Sequence, residues 1–331
     1  MQKMLTLVVI VLCTISTWIF YPYIFSRETV KKIYISQFVE HPALDMTTKG
    51  IIDGLEENGY KRGVNLDLRV ESAQANAALA SQIAAKFVGQ GADVVVGVAT
   101  VSAQSFIKYA KDNKAKLVFS SVTDPMQSEL VQSLDKPGNN ISGVSNFVPL
   151  EPQIKLFQMI QPNLKRLGFL YNPSEANSLS LIKTLEVICP KFGITLVLQI
   201  ANKTSEVAQA ATKLAANVDA IFISNDNTAL SALQVIINSA AKVQVPVYVS
   251  DTDAVELGAL AALGPNQYKI GLQTAKMIAR VLKGEDLSNM PVEFPISTEL
   301  YLNEEAAAKL DIKLSDKLKS TAAKIIKKTK L

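Results

Sequence analysis

Five short apolar runs in this chain each end in a small polar cluster that opens directly into a helix-like segment. Val94–Ala99 leads into Thr100-Val101-Ser102, and Leu117–Val122 into Thr123-Asp124-Pro125. Leu167–Tyr171 leads into Asn172-Pro173-Ser174-Glu175-Ala176-Asn177-Ser178. Ala220–Ser224 precedes Asn225-Asp226-Asn227-Thr228, and Val245–Val249 precedes Ser250-Asp251-Thr252-Asp253. Apolar runs of this length that alternate with helices build open parallel sheets. In such sheets, ligands bind outside the carboxyl ends of the strands. Two of the polar loops fall early and three late, so the pattern predicts two sheets that face one cleft. A cleft of this kind suits a small polar solute.

The same rhythm fills the rest of the chain. Strands are expected over 33–38, 64–70, 94–98 and 117–122, with helices over 44–58, 76–90 and 103–112 between them. Val64, Leu66, Leu68 and Val70 alternate with Asn65, Asp67 and Arg69, which marks a half-exposed edge strand. Prolines at 149 and 152 bracket an extended crossover, after which the alternation restarts. Strands follow over 167–171, 194–200, 220–224, 245–249 and 259–263, and helices over 152–161, 175–192, 204–216, 228–242 and 267–282. Two βαβ-rich halves predict an α/β fold of two doubly wound, Rossmann-like lobes.

At 331 residues the chain is long enough for two cores. Its net charge of +4 is concentrated at the end: from Lys309 onward there are eight Lys against Asp311 and Asp316. The body is therefore close to neutral and has no basic footprint for nucleic acid. The lysines read as a solvated C-terminal tail, with anionic lipid headgroups as the functional alternative. Met4 to Phe25 is an almost uncharged apolar stretch, long enough to span a bilayer and longer than the core of a secretory signal. An uncleaved membrane anchor that exports the body is the expectation. Two cysteines, Cys13 and Cys189, form no disulfide framework, and the lone His41 forms no multi-histidine metal site.

Catalytic signatures are missing where their chemistry would require them. No Gly-x-Gly-x-x-Gly follows the first strand, no phosphate-cradling loop occurs, and no Gly-x-Ser-x-Gly elbow is present. Asp251 and Asp253 point to different faces and make a poor acid–base pair. No cofactor is expected. Taken singly, Thr100, Thr123, Asp124, Ser174, Asn227, Thr228 and Asp251 are ordinary helix-capping types. Taken together, one carboxylate among hydroxyls and amides is what an amino-acid zwitterion requires. Helix N-termini accept its carboxylate, and Asp251 or Asp226 pairs with its ammonium.

Several strings occur in the order found in one family: His41-Pro42-Ala43-Leu44-Asp45, Val122-Thr123-Asp124-Pro125, Lys136 to Ser145, Leu170 to Ser178, Asp226-Asn227-Thr228 and Ser250-Asp251. The chain thereby resembles, over about residues 33–314, the ABC-transporter substrate-binding proteins of the type 1 periplasmic-binding fold, which include tryptophan- and tyrosine-binding members. The resemblance implies two lobes joined by three crossovers that close on a solute and dock to a membrane permease. It implies a first lobe of 29–147 plus 261–290 and a second of 148–260 plus 291–314, after an N-terminal segment 1–28 and before a tail 315–331. It carries over His41, Thr100, Thr123 and Asp124 as ligand contacts from the first lobe. From the second come Glu175, Asn177, Ser178, Asp226, Asn227, Thr228 and Asp251. The chain departs from the family at Ala99-Thr100-Val101, where Gly-Thr-Pro is usual. A monomeric receptor for an aromatic or apolar amino acid is the expectation. Its rivals are a sensory module coupled to a signalling partner and an enzyme on the same scaffold. A DNA-binding regulator would need a headpiece where the apolar span lies.

Overall fold

Strands buried on both faces need helices above and below them, and the chain supplies these in two separate sets. The structure, a computed structural model, describes residues 30–329; the apolar stretch expected to act as an anchor lies outside them. Among the described residues, no helix is long and apolar enough to cross a membrane.

The first sheet comprises β1 (Lys31–Gln37), β2 (Leu66–Ser72), β3 (Val94–Val98), β4 (Leu117–Val122) and β5 (Ile141–Ser145). All five are parallel, in the order β2-β1-β3-β4-β5. As expected, the alternating strand β2 lies at an edge and is half-exposed, whereas β3 is buried throughout. Helices α1 (Pro42–Glu57), α2 (Ala77–Gly89) and α3 (Thr100–Lys111) cover this sheet. Pro42 starts α1 where a missing N–H loses no bond, and the Asn76 side chain caps α2 by accepting from the Ala78 and Leu79 amides.

The second sheet contains β6 (Arg166–Tyr171), β7 (Thr195–Ile200), β8 (Ala220–Ile223), β9 (Val247–Val249), β10 (Ala261–Gly264), β11 (Glu299–Asn303) and β12 (Lys324–Ile326). Their order is β12-β11-β10-β9-β8-β6-β7. Helices α4 (Leu150–Ile160), α5 (Ala176–Ile188), α6 (Val207–Ala215), α7 (Asn227–Ser231) and α8 (Leu233–Ala241) pack around it. The single helix expected over 228–242 is broken at Ala232, whose backbone leaves the helical region. The one expected over 175–192 ends in a separate 3₁₀ turn at Cys189–Phe192.

The boundaries differ from expectation in three places. Strand β10 belongs to the second lobe, since Ala261 and Ala262 pair with Tyr248 and Val249. The chain crosses only at Pro265-Asn266. Helix α9 (Gln267–Leu282) then returns to the first lobe, and the chain stays there through Glu293, whose amide donates to Gly143. The Lys-rich terminus is not a loose tail. Helices α10 (Glu304–Lys309) and α11 (Asp316–Thr321) lead to β12, which pairs in parallel with β11 and buries Ile326. Its lysines alternate with apolar Leu318, Ile325 and Ile326, so charge counting hid a strand.

Helix α9 is clamped to α1 at backbone distance. A Cβ on Gly271 would lie 2.1 Å from the Thr47 carbonyl oxygen, and one on Gly50 would lie 2.2 Å from the Tyr268 carbonyl oxygen. The chain's return into the first lobe is therefore closely packed. Gly271→Ala is expected to push the helices apart and destabilise the protein by roughly 1–3 kcal/mol, read as a lowered Tm. An unchanged melting curve would show that the helices separate freely.

Candidate ligand-binding site

The carboxyl ends of both sheets face each other across a narrow cleft that the side chains nearly fill, leaving a cavity of about 10 Å³, room for about one water molecule. The first lobe lines it with His41, Ala43, Leu44, Thr100, Ser121, Thr123 and Gln267, and Asn146 reaches it from the first crossover. The second lobe contributes Asn177, Asn225, Asn227, Leu230 and Asp251. Neither Lys nor Arg is in the lining.

Local backbone geometry aims these groups. Ala99 sits at φ +73° directly before α3, a conformation that suits glycine, and it turns the start of that helix and Thr100 toward the cavity. In β4 the register slips between Ser120 and Val122, and Ser121 adopts φ +54°. A bulge of this kind re-aims a side chain, here sending the Ser121 hydroxyl into the cleft.

Behind the second-lobe wall lies a buried polar network. The Glu175 carboxylate accepts from the Asn227 and Thr228 amides, both at 3.0 Å, and from Thr228 Oγ1 at 2.9 Å. It also accepts from Asn227 Nδ2 at 2.6 Å and Asn177 Nδ2 at 3.3 Å. Asp226 caps α7 through the Ala229 amide and accepts from the Asn172 amide and the Ser178 hydroxyl. Burial, and after it the nearby Glu175 carboxylate, pushes Asp226 well above the ordinary carboxylate range.

This network sets the side chains that face the cleft. A carboxylate only accepts, so the Asn227 amide nitrogen must turn toward Glu175. The Asn227 Oδ1 atom then faces His41 Nε2 at 3.3 Å, and that nitrogen carries the hydrogen. Burial without a charged partner pushes His41 down to about 4, so the imidazole is neutral at ordinary pH. Asn177 donates to Glu175 and to the Asn225 carbonyl, while its Oδ1 is buried at the cavity with no hydrogen-bond partner among the described residues. Burial raises Asp251 to about 7; the Gln267 amide lowers it and Asp253 raises it further.

The lobes are closed on each other. Besides the His41–Asn227 contact, Asn225 Nδ2 donates to Thr123 Oγ1 at 2.9 Å and to Asn146 Oδ1 at 3.3 Å. Gln267 Nε2 donates to Asp251, and Ser180 Oγ donates to Asp124 Oδ2 at 2.8 Å.

Of the residues expected to contact ligand, His41, Thr100, Thr123, Asn177, Asn227 and Asp251 line the cavity. The other five do not. Asp124 latches the two lobes outside the cavity, and Glu175, Ser178, Asp226 and Thr228 form the scaffold behind its wall. Buried carboxylates at a helix start first satisfy the free amides beside them, which takes them out of the lining. Ser121, Asn146, Asn225, Gln267, Ala43, Leu44 and Leu230 had not been expected. Asn225 was within reach, since it opens one of the five polar clusters. The bulge at Ser121 and the crossover that delivers Gln267 leave no local signature.

Two doubly wound lobes, three crossovers and one shared polar cavity define a hinged solute-binding protein of the type 1 periplasmic-binding class. A family model described as "ABC transporter substrate binding protein" matches residues 32–326. The chain belongs to that family. A protein named tyrosine-binding protein from Clostridioides difficile (strain R20291) is 34% identical over 297 residues, covering 90% of this chain and 85% of the relative. A Streptococcus pneumoniae ABC domain solved in complex with L-Trp is 34% identical with a TM-score of 0.86, covering 90% of this chain and all of that one. A Clostridium difficile substrate-binding protein with adhesive properties, solved in a ligand-free, open form, is also 34% identical. Its TM-score is 0.68, with 91% of this chain and all of that one covered. At equal identity, the higher score goes to the ligand-bound relative, in keeping with the hydrogen bonds that close this cleft.

The strain at Ala99 can be relieved by removing its Cβ. Ala99→Gly is expected to stabilise the protein by about 1 kcal/mol in denaturant unfolding. A loss of stability would mean that the surrounding structure does not impose this backbone angle.

Proposed function

We propose that the cleft, when its lobes part from this nearly filled form, takes an amino acid with an aromatic side chain and that the protein delivers it to the permease of an ABC importer. The observation that carries this reading is that Asp251 and Asn177, whose Oδ1 has no hydrogen-bond partner among the described residues, both line a cavity that neither Lys nor Arg lines. The Asp251 carboxylate and Asn177 Oδ1 accept hydrogen bonds, which an α-ammonium group supplies. The start of α3 at Thr100, whose first amides lack intrahelical acceptors, receives the α-carboxylate together with the Thr123 hydroxyl. Leu44, Ala43 and Leu230 supply apolar wall for the side chain. Tyrosine in one relative's name and L-Trp in another's structure support the aromatic class. The role is binding and release rather than catalysis. The protein works as an exported monomer outside the cytoplasmic membrane, held there by its apolar segment around residues 4–25.

Calorimetry across the twenty amino acids tests the reading. L-Tyr or L-Trp is expected to bind, and failure of every amino acid would overturn it. Asp251→Asn is expected to weaken binding by roughly tenfold or more, as for a lost hydrogen bond to a charged group.

The pH dependence has a definite sign. In the closed protein, Asp251 holds a proton below about 7. Pairing with an ammonium group lowers that value, so binding below about pH 7 must release the proton. Affinity is expected to rise with pH by up to about tenfold per unit until about pH 7 and then to level off. Asp251→Asn should flatten this profile.

A further inference from the structure

Gln267 joins the two lobes where α9 packs on α1 at backbone distance. It is the first residue of α9, immediately after the second crossover, and only 1% exposed. Its Oε1 lies 3.2 Å from Thr47 Oγ1 and 3.1 Å from Ser121 Oγ, both in the first lobe. Those hydroxyls are 3.0 Å apart and belong to α1 and to the bulge of β4. Its Nε2 donates to Asp251 Oδ1 of the second lobe. Two elements, α1 and the β4 bulge, thus hold one end of a single amide that α9 carries, and the glycine contact packs α1 directly against α9.

The amide has only one workable orientation. The carboxylate needs the NH₂ group, which turns the carbonyl oxygen toward the Ser121 and Thr47 hydroxyls; Thr47 shares its single hydrogen with the Ala43 carbonyl at 3.0 Å. When the lobes separate, the Thr47 and Ser121 bonds travel with Gln267, and only the bond to Asp251 breaks. The group that breaks away is the one that the proposed ligand ammonium would approach.

We infer that Gln267 is a positioning residue that couples occupancy of the cavity to closure, by holding Asp251 across the lobe boundary through an amide anchored on Thr47 and Ser121. This rests on the reading of Asp251 as the ammonium partner. Its consequence for the unliganded protein is independent of which solute binds. With Gln267 in place, Asp251 faces the cavity at a set position and the closed form is sampled before ligand arrives. Without it, the second lobe loses its tie beside the hinge, and Asp251 loses the donor that stabilises its charged form.

The test is a distance measurement across the mouth of the cleft in the full-length chain in detergent, without amino acid. Spin labels go on Lys108→Cys in α3 and Glu186→Cys in α5, both exposed, in a Cys13→Ser, Cys189→Ala background. Gln267→Met keeps the volume and removes the amide, and it is expected to shift the distribution toward the longer, open distance. Gln267→Glu is expected to stay closed near pH 5, where the new carboxyl group is protonated and can donate to Asp251. It should open by pH 8, where the two carboxylates repel. A purely packing role would produce neither shift, and distributions matching the unsubstituted chain across this pH range would overturn the inference. Calorimetry with L-Tyr and L-Trp on the same variants separates the two readings. If the unsubstituted chain binds neither, the ligand assignment fails while the distance result still decides the relay. If it binds, Gln267→Met is expected to weaken affinity roughly tenfold or more and to move the rise in affinity to higher pH.

Discussion

A carboxylate buried without a cation in reach must be satisfied by neutral donors, and Glu175 organises the second lobe on those terms. It accepts five hydrogen bonds, from the start of α7 and from the side chains of Asn177, Asn227 and Thr228. Each bond has a consequence at the cleft. Asn227 is turned so that its oxygen meets His41 of the other lobe, and Asn177 spends its amide hydrogens on Glu175 and the Asn225 carbonyl, leaving its oxygen without a partner among the described residues. The break at Ala232 fits this arrangement, because it frees α7 to point its amides at Glu175 while α8 packs in the core. Asp226, one residue before α7, caps it and ties in the Asn172 and Ser178 loop.

Closure is built from many weak links. The bonds that cross the cleft are mostly neutral amide and hydroxyl contacts, each worth about 1 kcal/mol net. Such a set can form and break without a large barrier, which a carrier that must release its solute requires. Against them stands Asp251, whose charge is disfavoured when the lobes shut. A cationic group that enters the cavity removes that penalty in the closed form only. Differential affinity of this kind is what shifts a hinge equilibrium. The neutral imidazole of His41 adds no competing charge at ordinary pH.

The fold was largely legible, because strand–helix alternation and polar strand ends are local properties. The five apolar runs became β3, β4, β6, β8 and β9, and the alternating edge strand became β2. What failed were inferences from composition across a distance. Eight lysines concealed α11 and β12, because a strand at a sheet edge can bury one face and leave its charges in water. The assignment of 261–264 to the wrong lobe has a similar cause: a strand's partners are not written in its own residues. At the site, Thr100, Thr123 and Asp251 were visible as helix-start types. Asp124, Glu175, Asp226, Ser178 and Thr228 look the same in sequence but are turned away from the cavity to satisfy amides or the other lobe.

What the sequence by itself determined is which segments are strands and helices, and therefore that two sheets present polar loops. Those features follow from side-chain periodicity over a few residues. Only the tertiary structure decided which polar residues line the cavity and which hold the wall behind it. That choice depends on where distant donors fall: the α7 amides against Glu175, the bulged Ser121 and Thr47 against Gln267, and Gln267 against Asp251. Burial favours a partner for each of these groups, and the partner is chosen by the packing of the two lobes rather than by neighbours in the chain.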